Sequence, residues 1–218
     1  MRTAIPPQDA ERPDRDRRAP SDYPLTDLLA RRWSPRAFAE TPVEPEKLAS
    51  VLEAARWAPS SSNLQPWRFL VTRRKTDAFD ALRACLARGN QSWTERVPVL
   101  ILTLADTLLP AKGDKPAAEH AYALHDVGLA VANLTVQATA LGLFVHQMAG
   151  FRPDEARAAF GIPETFRPVT VLALGYLGDP AALPAELQER ERAPRRRKPL
   201  RELVFEGAWG EAAGFLEP

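Results

Sequence analysis

The chain has 218 residues, 45% of them hydrophobic and 26% charged, with a formal net charge of +1. That is ordinary globular material with length enough for a buried core, and its near-neutral charge argues against a general affinity for nucleic acid or anionic membrane. A single cysteine, Cys85, excludes an intramolecular disulfide and a thiolate metal site, and no run reaches the roughly 18 apolar residues of a membrane span.

Residues 1–22 mix proline with arginine, aspartate and glutamate and hold little that could be buried, so they read as a disordered or loosely docked tail. They lack the apolar centre of a secretory signal, and a cytosolic protein is expected. An ordered domain is expected over 23–207, with 208–218 as a C-terminal tail. It opens with a short helix in "PLTDLLARR" (24–32). "TPVEPEKLASVLEAARWA" (41–58) predicts a second helix: Pro45 suits its first turn, and Leu48, Val51, Leu52 and Ala55 share a face.

That helix runs into "PSSSNLQPW" (59–67), three serines, an asparagine and a glutamine where a plain reversal would need only a short polar turn. "WRFLVTRR" (67–74) alternates as a strand does, and "KTDAFDALRACLARG" (75–89) reads as one helix ended by Gly89. "VPVLILTLA" (97–105) is a continuous apolar run, short enough to be a strand buried on both faces. The longest regular segment is 117–141, where Leu124, Val127, Val131, Leu134, Ala138 and Leu141 recur at steps of three and four. This is a core-facing helix stripe, closed by Gly142. "LFVHQMA" (143–149) and "PVTVLALGYLG" (168–178) predict strands, with a helix at "PDEARAAFG" (153–161) between them. Strands separated by helices around one long helix point to an α/β or α+β sandwich.

Several chemistries have no motif. No GxGxxG follows a strand and no GxxxxGK[ST] occurs, which disfavours a Rossmann or Walker nucleotide cradle. His120, His125 and His146 lack HExxH spacing, so a metal site is not expected, and His125-Asp126 reads as a surface or packing pair. Ser60, Ser61 and Ser62 have no GxSxG elbow and no base nearby in sequence. What remains are donors suited to phosphate. "RRWSPRAF" (31–38) places Arg32, Ser34 and Arg36 at alternate positions, which an extended backbone would aim to one side. Guanidinium forks with a hydroxyl suit a phosphate monoester. "PRRRKP" (194–199) offers Arg195 and Arg197 with the same alternation. A solvated turn and a solvated basic face are the plainer readings of each cluster alone, and spacing does not show that they meet. In the serine stretch, successive backbone N–H groups could hydrogen-bond a flat polar ring; the alternative is a helix-terminal loop whose serines satisfy their own backbone.

"RRWSPRAF", "AARWAPSSSNLQPWRF", "LGLFVHQMAGF" and "RKPL", in this order, resemble the nitroreductase family of FMN-dependent NAD(P)H oxidoreductases over roughly residues 25–205. The resemblance implies an α+β sandwich with a central, mostly antiparallel sheet flanked by helices, built as an intertwined homodimer with FMN at the interface. Matched by position, Arg32, Ser34, Arg36, Arg195 and Arg197 would hold the phosphate. Pro59, Ser60, Ser61 and Asn63 would reach the flavin from the partner subunit. Gln147, Met148, Ala149 and Gly150 would lie along the ring, and Asn90 would touch the ribityl chain or ring. The activity implied is ping-pong transfer of hydride from NAD(P)H to a nitroaromatic, a quinone or a similar conjugated acceptor. The flavin N5 carries the hydride and no protein residue is catalytic. The turn "HQMAG" is bulkier than the "PxGG" form of some members, and the N-terminal extension has no counterpart in the family pattern. Two rivals stand beside this reading: a dimeric flavin-storing module without turnover, and a nucleic-acid patch at "PRRRKPLR", which the net charge disfavours.

Overall fold

In the computed structural model, which describes residues 17–109, 111, 113–114 and 116–216, the chain runs α1 (Asp27–Arg31), α2 (Pro45–Arg56), β1 (Trp67–Arg73), α3 (Asp77–Ala84), α4 (Arg88–Thr94), β2 (Val99–Asp106), β3 (Leu108–Leu109), β4 (Ala118–Glu119), α5 (Ala123–Ala140), β5 (Phe144–Met148), α6 (Pro153–Phe160), β6 (Phe166–Gly175) and α7 (Ala185–Arg192). Four strands form one sheet in the order β1-β2-β6-β5, and β3 and β4 make a separate ribbon. Every neighbouring pair is antiparallel. Antiparallel strands with helices on both faces make this an α+β sandwich.

The continuous apolar runs take the two central positions, β2 and β6, because only a strand covered on both faces can bury every side chain. Their side chains alternate between two cores. Leu100, Leu102, Val171 and Ala173 pack with Phe79 and Leu82 of α3, Trp93 of α4, Ala156 of α6 and Leu187 of α7. Val99, Ile101, Leu172 and Leu174 pack with Val51 and Ala55 of α2 and Val127 and Leu134 of α5. β5 lies at a sheet edge, where its backbone and the turn after it are free to meet other groups. Among the described residues no helix is long and apolar enough to cross a membrane.

Two expectations need correction, and one helix was not foreseen. The helix expected over 75–89 ends at Ala84, and Gly89 lies inside the next helix instead of ending one. The break comes because Leu86 is fully buried and bridges Phe151, while the Cys85 carbonyl accepts from the Arg152 N–H and the Ala87 N–H donates to the Gly150 carbonyl. The long helix starts at Ala123 rather than 117, since 118–119 pair in β4. Leu124 consequently lies outside the stripe, 39% exposed, and Ala123 and Ala130 take inward places. Last, α7 had no expectation: it is strongly polar and buries only Leu187 and Glu191. Residues 1–16 of the expected tail lie outside the described residues.

Candidate functional site

Residues 32–36 leave α1 in an extended course, and burial alternates along them: Trp33 and Pro35 are buried, Ser34 is exposed, and Arg32 and Arg36 are intermediate. Trp33 packs edge-on to Phe144 of β5, with centroids 6.3 Å apart. The outward side chains then face a cavity of about 240 Å³, into which Arg195 and Arg197 also come. The two basic clusters, 160 residues apart in sequence, therefore meet.

Two carboxyl and imidazole contacts set the backbone of this segment. Glu191, near the end of α7 and 3% exposed, accepts from the Arg36 N–H with both oxygens at 3.0 Å and from the Ala37 N–H at 3.1 Å. His146 of β5 donates from Nδ1 to the Pro35 carbonyl at 2.8 Å and lies against the Trp93 ring at 4.8 Å. Burial, aided by the positive charge of Arg36, lowers the His146 pKa to about 4, so the ring is neutral near pH 7.

The arginines have few counter-charges. Among the described residues, neither Arg32, Arg36, Arg195 nor Arg197 forms an ion pair with a carboxylate. Glu191 is the acidic residue of the cavity wall, and its oxygens are committed to backbone N–H groups. Burial and then repulsion from Arg197 depress the Arg32 pKa. Arg195 is depressed by burial and then by Arg32, Arg197 and Arg17. Arg195 is also partly committed: it donates from Nη1 to the Arg17 and Ala30 carbonyls at 2.6 and 2.9 Å and from Nη2 to the Arg32 carbonyl at 2.8 Å. It therefore ties residues 30–32 to the stretch after α7 as well as facing the cavity. Crowded, partly desolvated guanidinium groups without carboxylates suit a multiply charged oxyanion.

The second group of predicted residues surrounds the end of β5. Gln147 is exposed at the sheet edge, whereas Met148 is 2% exposed and belongs to the core. Ala149 and Gly150 are exposed. Asn90 in α4 donates to the Gly150 carbonyl at 2.9 Å, and a Cβ at Gly150 would stand 3.0 Å from that amide. Asn90 thus shapes the 148–150 turn.

The third group, Pro59, Ser60, Ser61 and Asn63, forms a tight loop after α2. Ser62, Asn63 and Gln65 have φ values of 49°, 54° and 50°, a left-handed conformation costing of order 1 kcal/mol for residues with a Cβ. The N–H groups of Ser61, Asn63, Leu64 and Gln65 are all used inside the chain, by Asp126, Ser60, Ser61 and the Ser60 hydroxyl. That narrows the expected set of free backbone donors. Among the described residues of one chain, the loop makes no hydrogen bond to the cavity or to the β5 turn.

Sequence reasoning missed Glu191, and it read Asp126 as a surface or packing pair with His125, which the structure shows, without its bond to Ser61. Asp126 is 2% exposed in the first turn of α5, accepting from the Ser61 N–H at 3.0 Å and meeting His125 Nδ1 at 3.2 Å. His120 Nε2, also buried, lies 3.9 Å away. The signal was faint: an aspartate among the first residues of a helix is usually a solvated dipole partner. Asp126→Ala is expected to lower stability by about 1–3 kcal/mol by orphaning a partly buried N–H, with hydrogen exchange quickened at 59–65. Ser61→Ala, which keeps that N–H, should change both by far less. A loop held by the Ser61 hydroxyl would reverse the order.

An antiparallel sheet between two helical layers, with an arginine-walled cavity near its edge strand, is an α+β sandwich of the type found in similar solved structures. The nitroreductase family model matches residues 29–176, and the chain belongs to the nitroreductase family. It is similar to a crystal structure described as an oxidoreductase containing FMN, at 34% identity and a TM-score of 0.84, covering 92% of this chain and all of that one. A nitroreductase family protein from Clostridium difficile 630 matches at 27% identity and a TM-score of 0.63, covering 83% and 96% of the two chains. By sequence, a protein named NADH dehydrogenase in Thermus thermophilus is 30% identical over 202 residues, covering 80% of this chain and 92% of that one.

Proposed function

We propose that this protein is an FMN-dependent oxidoreductase that takes hydride from NAD(P)H in a ping-pong cycle and reduces nitroaromatic, quinone or similar conjugated electrophilic acceptors. The observation that carries the reading is the cavity beside β5, where Arg32, Ser34, Arg36, Arg195 and Arg197 face one another without carboxylate partners. The phosphate monoester of FMN, a dianion, fits this donor set in charge and in hydrogen-bond type. The FMN in the name of the similar oxidoreductase structure and the NADH in the name of the Thermus relative support the cofactor and the donor.

In this reading Arg32, Ser34 and Arg36 bind the phosphate, with Arg195 and Arg197 closing the far side. Glu191 and His146 hold the backbone between them. Gln147, the Met148 backbone, Ala149 and Gly150 line the ring, and Asn90 fixes their turn. Pro59, Ser60, Ser61 and Asn63 come from the second subunit of a homodimer. That assignment is supported by the loop's lack of hydrogen bonds to its own chain's cavity and by exposed Trp57, Leu64, Tyr122 and Leu124 on the elements flanking it. Exposed apolar groups clustered around a strained loop are what an interface would cover. When bound, FMN supplies the hydride acceptance and electron donation, so the chain needs no nucleophile of its own. The side chains bind, orient and keep water from the ring.

The purified protein is expected to be yellow with a flavin spectrum. Anaerobic NADH or NADPH should bleach it, and a quinone or nitroaromatic should restore it. Protein that gains no colour with added FMN would refute flavin binding, and a yellow protein bleached by neither nucleotide would support the storage module instead.

A further inference from the structure

Arg17 precedes every described helix and strand, yet its side chain and its backbone both end at the cationic cavity. Its guanidinium lies over the Trp33 ring, 4.6 Å from the centroid, and donates to the Ala193 carbonyl. Its own carbonyl accepts from Arg195 at 2.6 Å. Two residues later the Ala19 N–H donates to the Ala30 carbonyl at 2.8 Å, and between them Arg18 pairs with Asp27 at 2.7 Å. These contacts lay residues 17–19 against α1 and the 193–195 segment, at the wall of the cavity.

We propose that Arg17 is a further phosphate-binding residue, carried on a strap from the N-terminal extension that closes the cavity over the flavin phosphate; the proposal rests on the flavin reading above. A guanidinium has five donors, and the Ala193 carbonyl occupies one direction of this one. Among the described residues no carboxylate pairs with it. The fold nevertheless brings it among Arg32, Arg36, Arg195 and Arg197, where like charges repel it. Its charge is one of those that depress Arg195, after burial and after Arg32 and Arg197. An arginine drawn into such a cluster from outside the sheet's elements is explained by an anion held between them. Stacking on the buried Trp33 ring accounts for one contact of Arg17 and not for its place among four like charges. A strap across the phosphate would also have to move for the cofactor to leave, so it would act on the dissociation rate more than on association.

The test compares FMN with riboflavin, which has the same ring and ribityl chain but no phosphate. Full-length parent, Arg17→Ala, Arg17→Lys and Arg36→Ala are stripped of flavin and titrated with each. Arg17→Ala is expected to raise the FMN dissociation constant by about tenfold or more and to speed FMN release, with riboflavin binding unchanged. Arg17→Lys should fall between, because it keeps the charge and loses the fork. If Arg17→Ala weakens FMN and riboflavin equally, Arg17 only props Trp33 and the proposal is overturned. It is overturned too if Arg17→Ala binds FMN as the parent does while Arg36→Ala loses it selectively; the phosphate site then stands without the strap. A parent that holds riboflavin as tightly as FMN defeats the flavin-phosphate reading itself, and the strap with it.

Discussion

Glu191→Ala is expected to lower the stability of the fold by about 3 kcal/mol, because it leaves two backbone N–H groups, each worth roughly 1–3 kcal/mol when orphaned, without an acceptor. Glu191 accepts from Arg36 and Ala37 at 3.0 and 3.1 Å and is nearly fully buried. Water from the adjoining cavity can reach one of the orphaned groups, which keeps the effect below the upper sum. For a chain of this size the melting temperature should fall by about 6–12 °C. Glu191→Gln separates the two things the carboxylate does. Its Oε1 alone accepts from both N–H groups, so an amide oxygen there retains most of the anchoring and the loss should be nearer 1 kcal/mol. The amide also removes the acidic charge from the cavity wall, so FMN should bind as tightly as to the parent or more tightly. Stability and cofactor affinity then move in opposite directions in one variant. Melting curves and flavin titrations on both variants check this; a Glu191→Ala protein that melts with the parent would show that other contacts hold residues 36–37.

The elements visible in the sequence were those whose burial is uniform along their length. Val99–Ala105 reads as a doubly covered strand because every side chain in it except Thr103 is apolar, and the stripe from Val127 to Leu141 reads as a helix because one face is. Where a buried polar or small residue carries the structure, the signal fails. α7 has only Leu187 to mark an inner face, and its second buried residue is a glutamate whose acceptors work on a backbone 155 residues away. Gly89 looked like a helix end from composition, but helix ends are set by where the backbone finds other partners. Here Leu86 found Phe151 and Ala87 found Gly150.

The candidate site divides in the same way. The residue types that suit a phosphate were legible from alternation within each basic cluster, but that the clusters share one cavity is a tertiary fact. The division of labour inside them is tertiary too. Arg195 divides its donors between the cavity and three carbonyls, and Met148 is buried in the core while its neighbours Gln147 and Ala149 are exposed. Asp126 was legible as half of a surface or packing pair with His125, but its further partner, the Ser61 N–H, is a group every residue except proline has. Backbone anchors of this kind leave no trace in side-chain pattern.

His146 makes the fold pH-sensitive on the acid side. Its folded-state pKa of about 4 is depressed by burial, in spite of the bond to Pro35, whereas an exposed histidine titrates near 6.5. Above about pH 6.5 the ring is neutral in both folded and unfolded chains and contributes no pH dependence. As pH falls from there, the unfolded chain takes up a proton that the folded one refuses, so unfolding is favoured by about 1.4 kcal/mol per pH unit until the folded ring titrates near pH 4. The full loss through this window is about 3 kcal/mol. The ring bridges β5 to residues 35–36, and a proton on it would face the Arg36 charge, so the same window should weaken the phosphate site. His146→Asn keeps an N–H near the place of Nδ1 and cannot titrate. It should lose some packing against Trp93 at every pH, but its stability should fall less steeply between pH 6.5 and 4 than the parent's. Carboxylates that titrate over the same range contribute alike to both proteins and cancel in the difference. Denaturant unfolding of the two across that range measures the difference directly, and parallel curves would mean that His146 is charged in the native state or titrates as an exposed ring does.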